Sequence, residues 1–184
     1  ALVARLEGQG VRIRHLDLGG GLGIRYREEE PPLPADHAAA LLEHVRGKPY
    51  AILLEPGRAI VGNAGILVTR VEYVKRTGKK NFVIVDGAMN DLIRPAFYDA
   101  YQEIVPLTRK GGANISSDVV GPICESGDYF CKDRPLAKVG EGDHLALLSA
   151  GAYGFVMASN YNTRSQVAEV LVNGRKFAVT RERQ

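Results

Sequence analysis

An apolar segment that stops at three consecutive glycines constrains the fold more than any other stretch of this 184-residue chain. The segment covers residues 11–18, and Gly19, Gly20 and Gly21 follow it. An apolar run with β-branched members predicts a buried strand, and the glycines end it because they have no side chain to pack. Bare backbone N–H groups can approach an anion closely, most often a phosphate. The stretch therefore predicts a strand that ends either at a phosphate-binding loop or at a glycine turn without a ligand.

The spacing of the glycines excludes two nucleotide-binding loops. The dinucleotide fingerprint G-x-G-x-x-G would need a glycine at position 24 or 26, where the chain has Ile24 and Tyr26. A P-loop would need Gly-Lys-Ser/Thr after the glycines, and this tripeptide does not follow them. Any phosphate bound here is expected to belong to a ligand of another class.

The residues that follow have the pattern of a parallel α/β unit. Asp36 can cap a helix that runs to Arg46, and Gly47 can end it. A second buried strand is expected at residues 50–54, where it meets Glu-Pro-Gly-Arg at 55–58. Because functional groups of parallel α/β folds gather at the carboxyl ends of the strands, the two strand ends are expected to form one site.

After about residue 62 the pattern changes to that of a mostly antiparallel sheet. Asn-Gly between two apolar runs at 170–179 predicts a hairpin with a type I′ turn. Residues 95–101 and 151–159 predict helical segments. Further strands are expected at residues 66–73, 82–85, 103–107, 117–124 and 145–148. The fold class is therefore α/β followed by β.

Composition and charge exclude several classes of protein. The chain is 45% hydrophobic and 24% charged, as globular proteins are. Its net charge is +3, and the densest basic cluster, residues 75–80, lies between two strand-like runs, so it predicts an exposed hairpin tip rather than a nucleic-acid site. No apolar run approaches the roughly 20 residues of a membrane span. Cys124 and Cys131 are the only cysteines and no pair of ligands accompanies them, so neither zinc nor a disulfide framework is expected, and a cytoplasmic location is the default.

The α/β part is too short to close a sheet by itself. A (β/α)8 barrel takes about 250 residues, and two strands with one helix form no satisfactory open sheet. Residues 1–8 resemble the end of a helix without a preceding N-cap. Either the α/β part pairs with strands from elsewhere, or a long N-terminal portion precedes these residues.

Five motifs follow one another along the chain. They are Asp-Leu-Gly-Gly-Gly-Leu-Gly-Ile at 17–24, Glu-Pro-Gly-Arg at 55–58, Met-Asn-Asp-Leu-Ile-Arg-Pro-Ala-Phe-Tyr at 89–98, Cys-Glu-Ser-Gly-Asp at 124–128, and Ala-Tyr-Gly at 152–154 with Asn-Tyr-Asn at 160–162. Together they resemble the diaminopimelate decarboxylase family of pyridoxal 5'-phosphate (PLP) enzymes, in the alanine-racemase-like class that includes the ornithine and arginine decarboxylases. The resemblance implies that residues 1–62 are the last units of a PLP-binding (β/α)8 barrel and that 63–184 form a C-terminal β domain.

The resemblance also implies which catalytic groups lie outside these residues. In the family, the lysine that forms an imine with PLP and the histidine that stacks on its ring lie early in the barrel. No lysine of this chain has a comparable context. The 184 residues alone are therefore expected to be inactive.

By resemblance, the glycine loop carries the phosphate of PLP and Tyr153 adds a hydroxyl donor. Glu55 would lie beside the pyridine nitrogen, where a carboxylate raises the pKa of that nitrogen and keeps the ring cationic. Arg58 would reach both phosphate and substrate. The expected cofactor contacts are Gly19, Gly20, Gly21, Glu55, Gly57, Arg58 and Tyr153.

The choice of substrate can be argued from charge. Diaminopimelate has an amino-acid group at both ends, so its far end needs a cation for the carboxylate and an anion for the ammonium. Guanidinium groups suit carboxylates because they donate two parallel N–H bonds. Ornithine has only an ammonium at its far end and would leave buried arginines unpaired, which is costly. The expected substrate contacts are Arg58, Arg94, Tyr98, Glu125 and Tyr153, with Arg94 and Tyr98 on one face of a helix.

Cys124 is the expected general acid that protonates the carbanion after CO2 leaves. By resemblance, the Cys124-Glu125 segment enters the active site of a partner subunit, which implies a homodimer with shared sites. The expected reaction converts meso-2,6-diaminopimelate to L-lysine and CO2, with no metal, nucleic-acid or membrane partner. The alternatives are a decarboxylase acting on ornithine, arginine or carboxynorspermidine, and a non-catalytic, PLP-free regulatory or dimerisation module.

Overall fold

The computed structural model describes residues 2–184 and contains a small parallel α/β unit, a six-stranded sheet and a C-terminal hairpin. Its helices are α1 (Leu2–Gly8), α2 (Pro34–Val45), α3 (Gly57–Val61) and α4 (Arg94–Tyr98). Its strands are β1 (His15–Asp17), β2 (Ala51–Leu53), β3 (Leu67–Arg76), β4 (Asn81–Val85), β5 (Ile104–Pro106), β6 (Ile115–Val120), β7 (Tyr129–Leu136), β8 (His144–Leu147), β9 (Glu169–Asn173) and β10 (Lys176–Arg181). No helix within residues 2–184 combines the length and the apolar character that a bilayer crossing requires.

The parallel unit consists of β1 and β2, with α2 between them along the chain. The two strands pair in parallel, with His15 opposite Ala51 and Asp17 opposite Leu53. This pairing confirms the predicted strand–helix–strand order. The prediction that both strands are buried is wrong, because their side chains alternate between exposed and half-buried and nothing within residues 2–184 covers them fully. The strands are also shorter than predicted.

The ends of α1 and α2 follow local signals only in part. The predicted helix end at Gly8 is confirmed, whereas Ala1 lies outside the described residues. The predicted cap at Asp36 is wrong, because α2 begins at Pro34 and Leu33 precedes it without a side-chain cap. Proline suits the first turn because its φ is already helical and its missing N–H would be unpaired there. Asp36 lies in that first turn, where its charge favours the helix dipole.

The six-stranded sheet has the order β5-β8-β3-β4-β6-β7, and only the β4–β6 pair is parallel. The predicted antiparallel sheet is therefore confirmed. Residues 77–80 form the turn of the β3–β4 hairpin, in which the Thr77 N–H donates to the Lys80 carbonyl at 2.8 Å. The core of the molecule lies on this sheet. Its most deeply buried apolar side chains include Val71, Val85, Val119, Phe130, Leu145 and Leu147.

Two local predictions in the C-terminal part are wrong. Residues 151–159 do not form a helix, and only Phe155–Met157 make a 3-10 turn, because the preceding backbone is packed too tightly against Val61 and turns left-handed at Tyr153 (φ 59°). The hairpin of β9 and β10 is present. Asn173 pairs with Lys176, however, so the loop residues are 174–175, with positive φ at the glycine only. That is the pattern of a type II′ turn rather than type I′.

Candidate functional site

The glycine loop and the turn after β2 lie against each other. The Glu55 N–H donates to the Gly19 carbonyl at 2.8 Å, which continues the pairing of the two strands beyond their ends. A Cβ built on Gly20 would lie 2.3 Å from the Glu55 carbonyl oxygen, so only glycine fits at this position. The structure therefore brings the two predicted strand ends together.

The N–H groups of this loop are not equivalent. The Gly19 N–H donates to Asp17 Oδ1 at 2.7 Å and is already used. Within residues 2–184, no acceptor is hydrogen-bonded to the N–H of Gly20 or Gly21. The Gly57 N–H donates to the Glu55 carbonyl at 2.8 Å and so shapes the turn. Within residues 2–184, the N–H groups of Gly20 and Gly21 therefore remain available to an anion, whereas that of Gly19 already has an acceptor.

Arg58 of α3 contacts Tyr153, a residue that lies far from it along the chain. The guanidinium carbon lies 5.2 Å from the centre of the Tyr153 ring, within range of a cation–π contact. Two backbone hydrogen bonds join the segments that hold them, from Ala150 to Gly65 at 2.8 Å and from residue 151 to residue 62 at 3.0 Å. Tyr153 therefore lies beside Arg58, a residue of the same Glu-Pro-Gly-Arg motif as Glu55.

Arg94 is a buried cation that has no carboxylate partner within residues 2–184. It begins α4, and its residue surface is 9% exposed. Its Nη1 donates to the Tyr26 hydroxyl at 2.8 Å, and the guanidinium carbon lies 4.9 Å from the centre of the Tyr26 ring. Within residues 2–184, no carboxylate oxygen lies within 4.0 Å of its nitrogens. Since an unpaired buried charge is costly, Arg94 is suited to an anion from outside the chain.

Tyr98 does not share the surroundings of Arg94. It lies on α4 as predicted, but it is 58% exposed, and its ring contacts Phe97 edge to face with the centres 4.7 Å apart. The predicted helix at 95–101 is therefore present but lies at Arg94–Tyr98. Its first residue is buried and its last is exposed, so the two side chains differ in their surroundings.

The Cys124 loop is closed by a buried carboxylate. Asp128, 4% exposed, accepts the N–H of Met89 at 2.7 Å on Oδ1 and the N–H of Ile123 at 2.8 Å on Oδ2. Burial raises the pKa of Asp128, although these two hydrogen bonds oppose that rise. Cys124 and Glu125 themselves are exposed. Asp128 thus ties the motif at 124–128 to the motif at 89–98, a role that the sequence alone did not reveal.

Arg164 is a second organising residue that sequence reasoning missed. Its Nη2 donates to the Asp86 carbonyl at 2.6 Å, and its Nε donates to Asn90 Oδ1 at 3.0 Å. Nη2 also lies 4.0 Å from the buried Asp91 carboxylate. Burial raises the pKa of Asp91, and the positive charge of Arg164 opposes that rise. No local signal pointed to this residue, because its partners lie far away along the chain.

The predicted site residues form separate groups on this chain. One group consists of Gly19, Gly20, Gly21, Glu55, Gly57, Arg58 and Tyr153. Arg94 contacts Tyr26, a residue of the segment that follows the glycine loop along the chain. Within residues 2–184, no hydrogen bond or ion pair joins the side chain of Cys124 or Glu125 to that group. The predicted general acid, Cys124, and the glycine loop are therefore not joined by a side-chain hydrogen bond or ion pair within residues 2–184.

Comparison with known proteins agrees with this arrangement. Residues 14–151 match the family model of the pyridoxal-dependent decarboxylases, C-terminal sheet domain. The diaminopimelate decarboxylases of Pseudomonas aeruginosa and Vibrio cholerae are 57% and 54% identical to the chain over its whole length, and the chain covers 44% of each relative. A crystal structure of diaminopimelate decarboxylase from Helicobacter pylori with L-lysine is 40% identical, with a TM-score of 0.91 over the whole chain and 45% of that protein.

These matches cover the parallel unit as well as the sheet, although the chain spans less than half the length of the relatives that it matches. The family model alone covers well over half of the chain. We conclude that this chain belongs to the pyridoxal-dependent decarboxylases and includes their C-terminal sheet domain.

Proposed function

We propose that the protein carrying this chain removes one carboxyl group from meso-2,6-diaminopimelate and releases L-lysine and CO2, with PLP as cofactor. The observation that carries the proposal is Arg94, a buried guanidinium without a carboxylate partner in residues 2–184. Curated relatives with this name, 54–57% identical over the whole chain, support it. The Helicobacter pylori relative was crystallised with L-lysine, the expected product.

The residues present fit the phosphate of PLP. Gly20 has no room for a Cβ, and the N–H groups of Gly20 and Gly21 have no acceptor within residues 2–184. Backbone N–H groups of this kind bind phosphate oxygens well. Arg58 and Tyr153, in contact with each other next to the loop, add a cation and a hydroxyl donor. Gly19 and Gly57 shape the two turns rather than donate to the ligand.

Glu55 is proposed to hold the proton on the pyridine nitrogen. Its side chain is exposed at the end of β2, and its backbone is fixed by the Gly19 carbonyl. A carboxylate at that nitrogen favours the protonated form of the ring. When bound, PLP supplies the electron sink for the electron pair left behind as CO2 departs.

The two parts of the fold are proposed to be the end of a barrel and most of a C-terminal β domain. The parallel pairing of β1 and β2 around α2 supports assignment of residues 1–62 to the last units of a (β/α)8 barrel. The sheet begins at Leu67, which supports a C-terminal β domain over 63–184. The candidate phosphate loop then lies at the carboxyl ends of barrel strands, as barrel sites do.

Arg94 and Arg58 are proposed to select a substrate with a carboxylate at its far end. Because Arg94 is buried, leaving its charge unpaired with ornithine bound would be unfavourable. Diaminopimelate provides the missing carboxylate. Tyr98, exposed on the same helix, and Tyr153 add hydroxyl groups at the edge of the site.

The Cys124 loop is proposed to act in the site of a partner subunit. Cys124 and Glu125 are exposed. Within residues 2–184, their side chains form no hydrogen bond with the residues proposed to bind the phosphate. In a homodimer, the Cys124 Sγ would protonate the carbon that has lost CO2, and Glu125 would accept the far ammonium. A cytoplasmic location agrees with both cysteines being free thiols.

The test is a decarboxylation assay of the full-length protein with diaminopimelate and with ornithine, in which both CO2 and lysine are measured. We expect turnover of diaminopimelate only. Arg94→Ala should lower kcat/KM roughly 100-fold, because two charge-assisted hydrogen bonds are lost. Arg76→Ala, a change of an exposed arginine on β3, is the matched control and should leave the rate unchanged. Equal turnover of ornithine, or no effect of Arg94→Ala, would contradict the proposal.

A further inference from the structure

The guanidinium of Arg94 is held along one side by two neutral groups. One is the Tyr26 hydroxyl, which accepts from Nη1 at 2.8 Å, with the ring lying against the guanidinium. The other is Gln102, which is completely buried and lies a few residues beyond α4. Neither residue carries a negative charge, so the charge of Arg94 is oriented without being neutralised.

The orientation of the Gln102 amide follows from its neighbours. With its nitrogen donating to the Leu148 carbonyl, its oxygen accepts from Arg94 Nη1 at 3.2 Å. The opposite orientation would place oxygen against oxygen and nitrogen against nitrogen. Since Nη1 has two N–H groups, Tyr26 and Gln102 together occupy both.

The other two nitrogens of Arg94 remain available. Within residues 2–184, neither Nε nor Nη2 has a hydrogen-bond acceptor. No buried side-chain nitrogen or oxygen in that range lacks a partner. Nε and Nη2 must therefore reach the surface of the chain, although the residue as a whole is 9% exposed. Their three N–H groups include a parallel pair, which matches the two oxygens of a carboxylate.

We propose that Tyr26 and Gln102 are positioning residues that hold Nη1 of Arg94 and thereby present its Nε–Nη2 edge to the far carboxylate of the substrate. The inference rests on the proposed function, since that function supplies the carboxylate. It adds the two residues that set the direction of binding. An acidic residue in either place would pair with Arg94 internally and compete with the substrate, whereas a neutral acceptor fixes the geometry and leaves the charge for the ligand.

The test compares two competitive inhibitors of the full-length holoenzyme, L-lysine and cadaverine, which differ only by the carboxylate. Tyr26→Phe keeps the aromatic ring and removes the acceptor. We expect the inhibition constant of lysine to rise about 10-fold, the size expected when a hydrogen bond to a charged group is lost, and that of cadaverine to stay within about 2-fold. The KM of diaminopimelate should rise with kcat nearly unchanged, because the far carboxylate is bound equally in the ground and transition states.

A second variant tests the positioning of Arg94 through Gln102. Gln102→Glu places a carboxylate beside Nη1 and should weaken lysine binding at least as much as Tyr26→Phe does, again without weakening cadaverine. Tyr73→Phe makes the same chemical change at an exposed tyrosine of β3 and serves as the control, expected to change neither inhibitor. In the double variant with Arg94→Lys, Tyr26→Phe should have no further effect on lysine binding.

The outcomes separate this inference from the proposed function. Unchanged lysine binding in Tyr26→Phe, or an equal loss for lysine and cadaverine, overturns the positioning role. If Arg94→Lys abolishes the preference for lysine while Tyr26→Phe does not, the proposed function survives and only the positioning role fails. If the unmodified enzyme does not turn over diaminopimelate or does not distinguish lysine from cadaverine, the proposed function itself fails.

Discussion

Residues 2–64 and the six-stranded sheet are stabilised to very different extents by their own contacts. In residues 2–64 only Leu22 and Gly62 are buried, and no side chain of α1 or α2 is. In the sheet, Val71 and Leu145 are completely buried within one continuous core. Helices as short as these derive most of their stability from packing. The parallel unit thus depends on further contacts, whereas the sheet has its own core.

The candidate site lies across this division. Backbone groups of the less packed unit form the proposed phosphate loop, where Gly20 lies against Glu55. Arg94 and the loop closed by Asp128 lie in the region with the buried core and hold the residues proposed for substrate binding and proton transfer. The comparison teaches that the proposed carboxylate-binding arginine comes from the region with its own core, whereas the proposed phosphate loop comes from the region without one. The following predictions test how far the two regions differ in the 184-residue chain.

The largest effect is expected from the sheet core. Phe130→Ala removes a ring that is 1% exposed and should lower the free energy of unfolding by about 3–5 kcal/mol. Leu53→Ala in β2, where the side chain is 47% exposed, should cost less than about 1 kcal/mol. Urea unfolding followed by circular dichroism measures both. Equal losses would show that the parallel unit is packed as tightly as the sheet.

An intermediate effect is expected from one substitution made in each region. Asp128→Asn should cost about 2 kcal/mol, since both carboxylate oxygens accept N–H groups and an amide can replace only one of them. Asp17→Asn should cost about 0.5 kcal/mol or less, because the exposed Asn oxygen can still accept from Gly19. Thermal unfolding of the two variants gives the comparison. A larger loss for Asp17→Asn would reverse our assignment of the better-anchored region.

The smallest effect is expected from surface charge, which also differs between the regions. No ion pair lies within residues 2–64, whereas Lys110 Nζ lies 2.6 Å from Asp143 Oδ1 beside the sheet. The Lys110 ammonium, with the Gly140 N–H, lowers the pKa of Asp143. The resulting stability is present above the pKa of about 3.9 for an unfolded aspartate and is lost as pH falls through the lower folded pKa.

Lys110→Met should raise the pKa of Asp143 toward its ordinary value and slightly reduce stability at neutral pH. Both changes should be small because the Lys110 side chain is 51% exposed, so solvent screens the pair. An NMR titration of the Asp143 carboxyl group measures the shift, with Lys79→Met in the exposed β3–β4 turn as the control. An unchanged titration curve would remove the pair as a source of surface stability.

Most elements could be predicted from sequence because their signals are local. The β3–β4 hairpin and the end of α1 follow from turn and glycine patterns within a few residues. The predicted helix at 151–159 failed because contact with Val61 and a left-handed Tyr153 override local propensity. The motifs identified Arg94 and Cys124 and included Asp128, but the contacts of Asp128 and Tyr26 join distant segments and could not be predicted from a local pattern.

By itself, the sequence determined the order of most elements, the glycine loop and the residue types of the proposed phosphate and carboxylate site, since each depends on neighbours along the chain. Only the tertiary structure decided which N–H groups of the loop are free and which edge of Arg94 faces outward. The reason is physical: hydrogen-bond capacity is shared among groups that meet in space. Whether Gly19 or Arg94 can bind a ligand therefore depends on partners that no local pattern identifies.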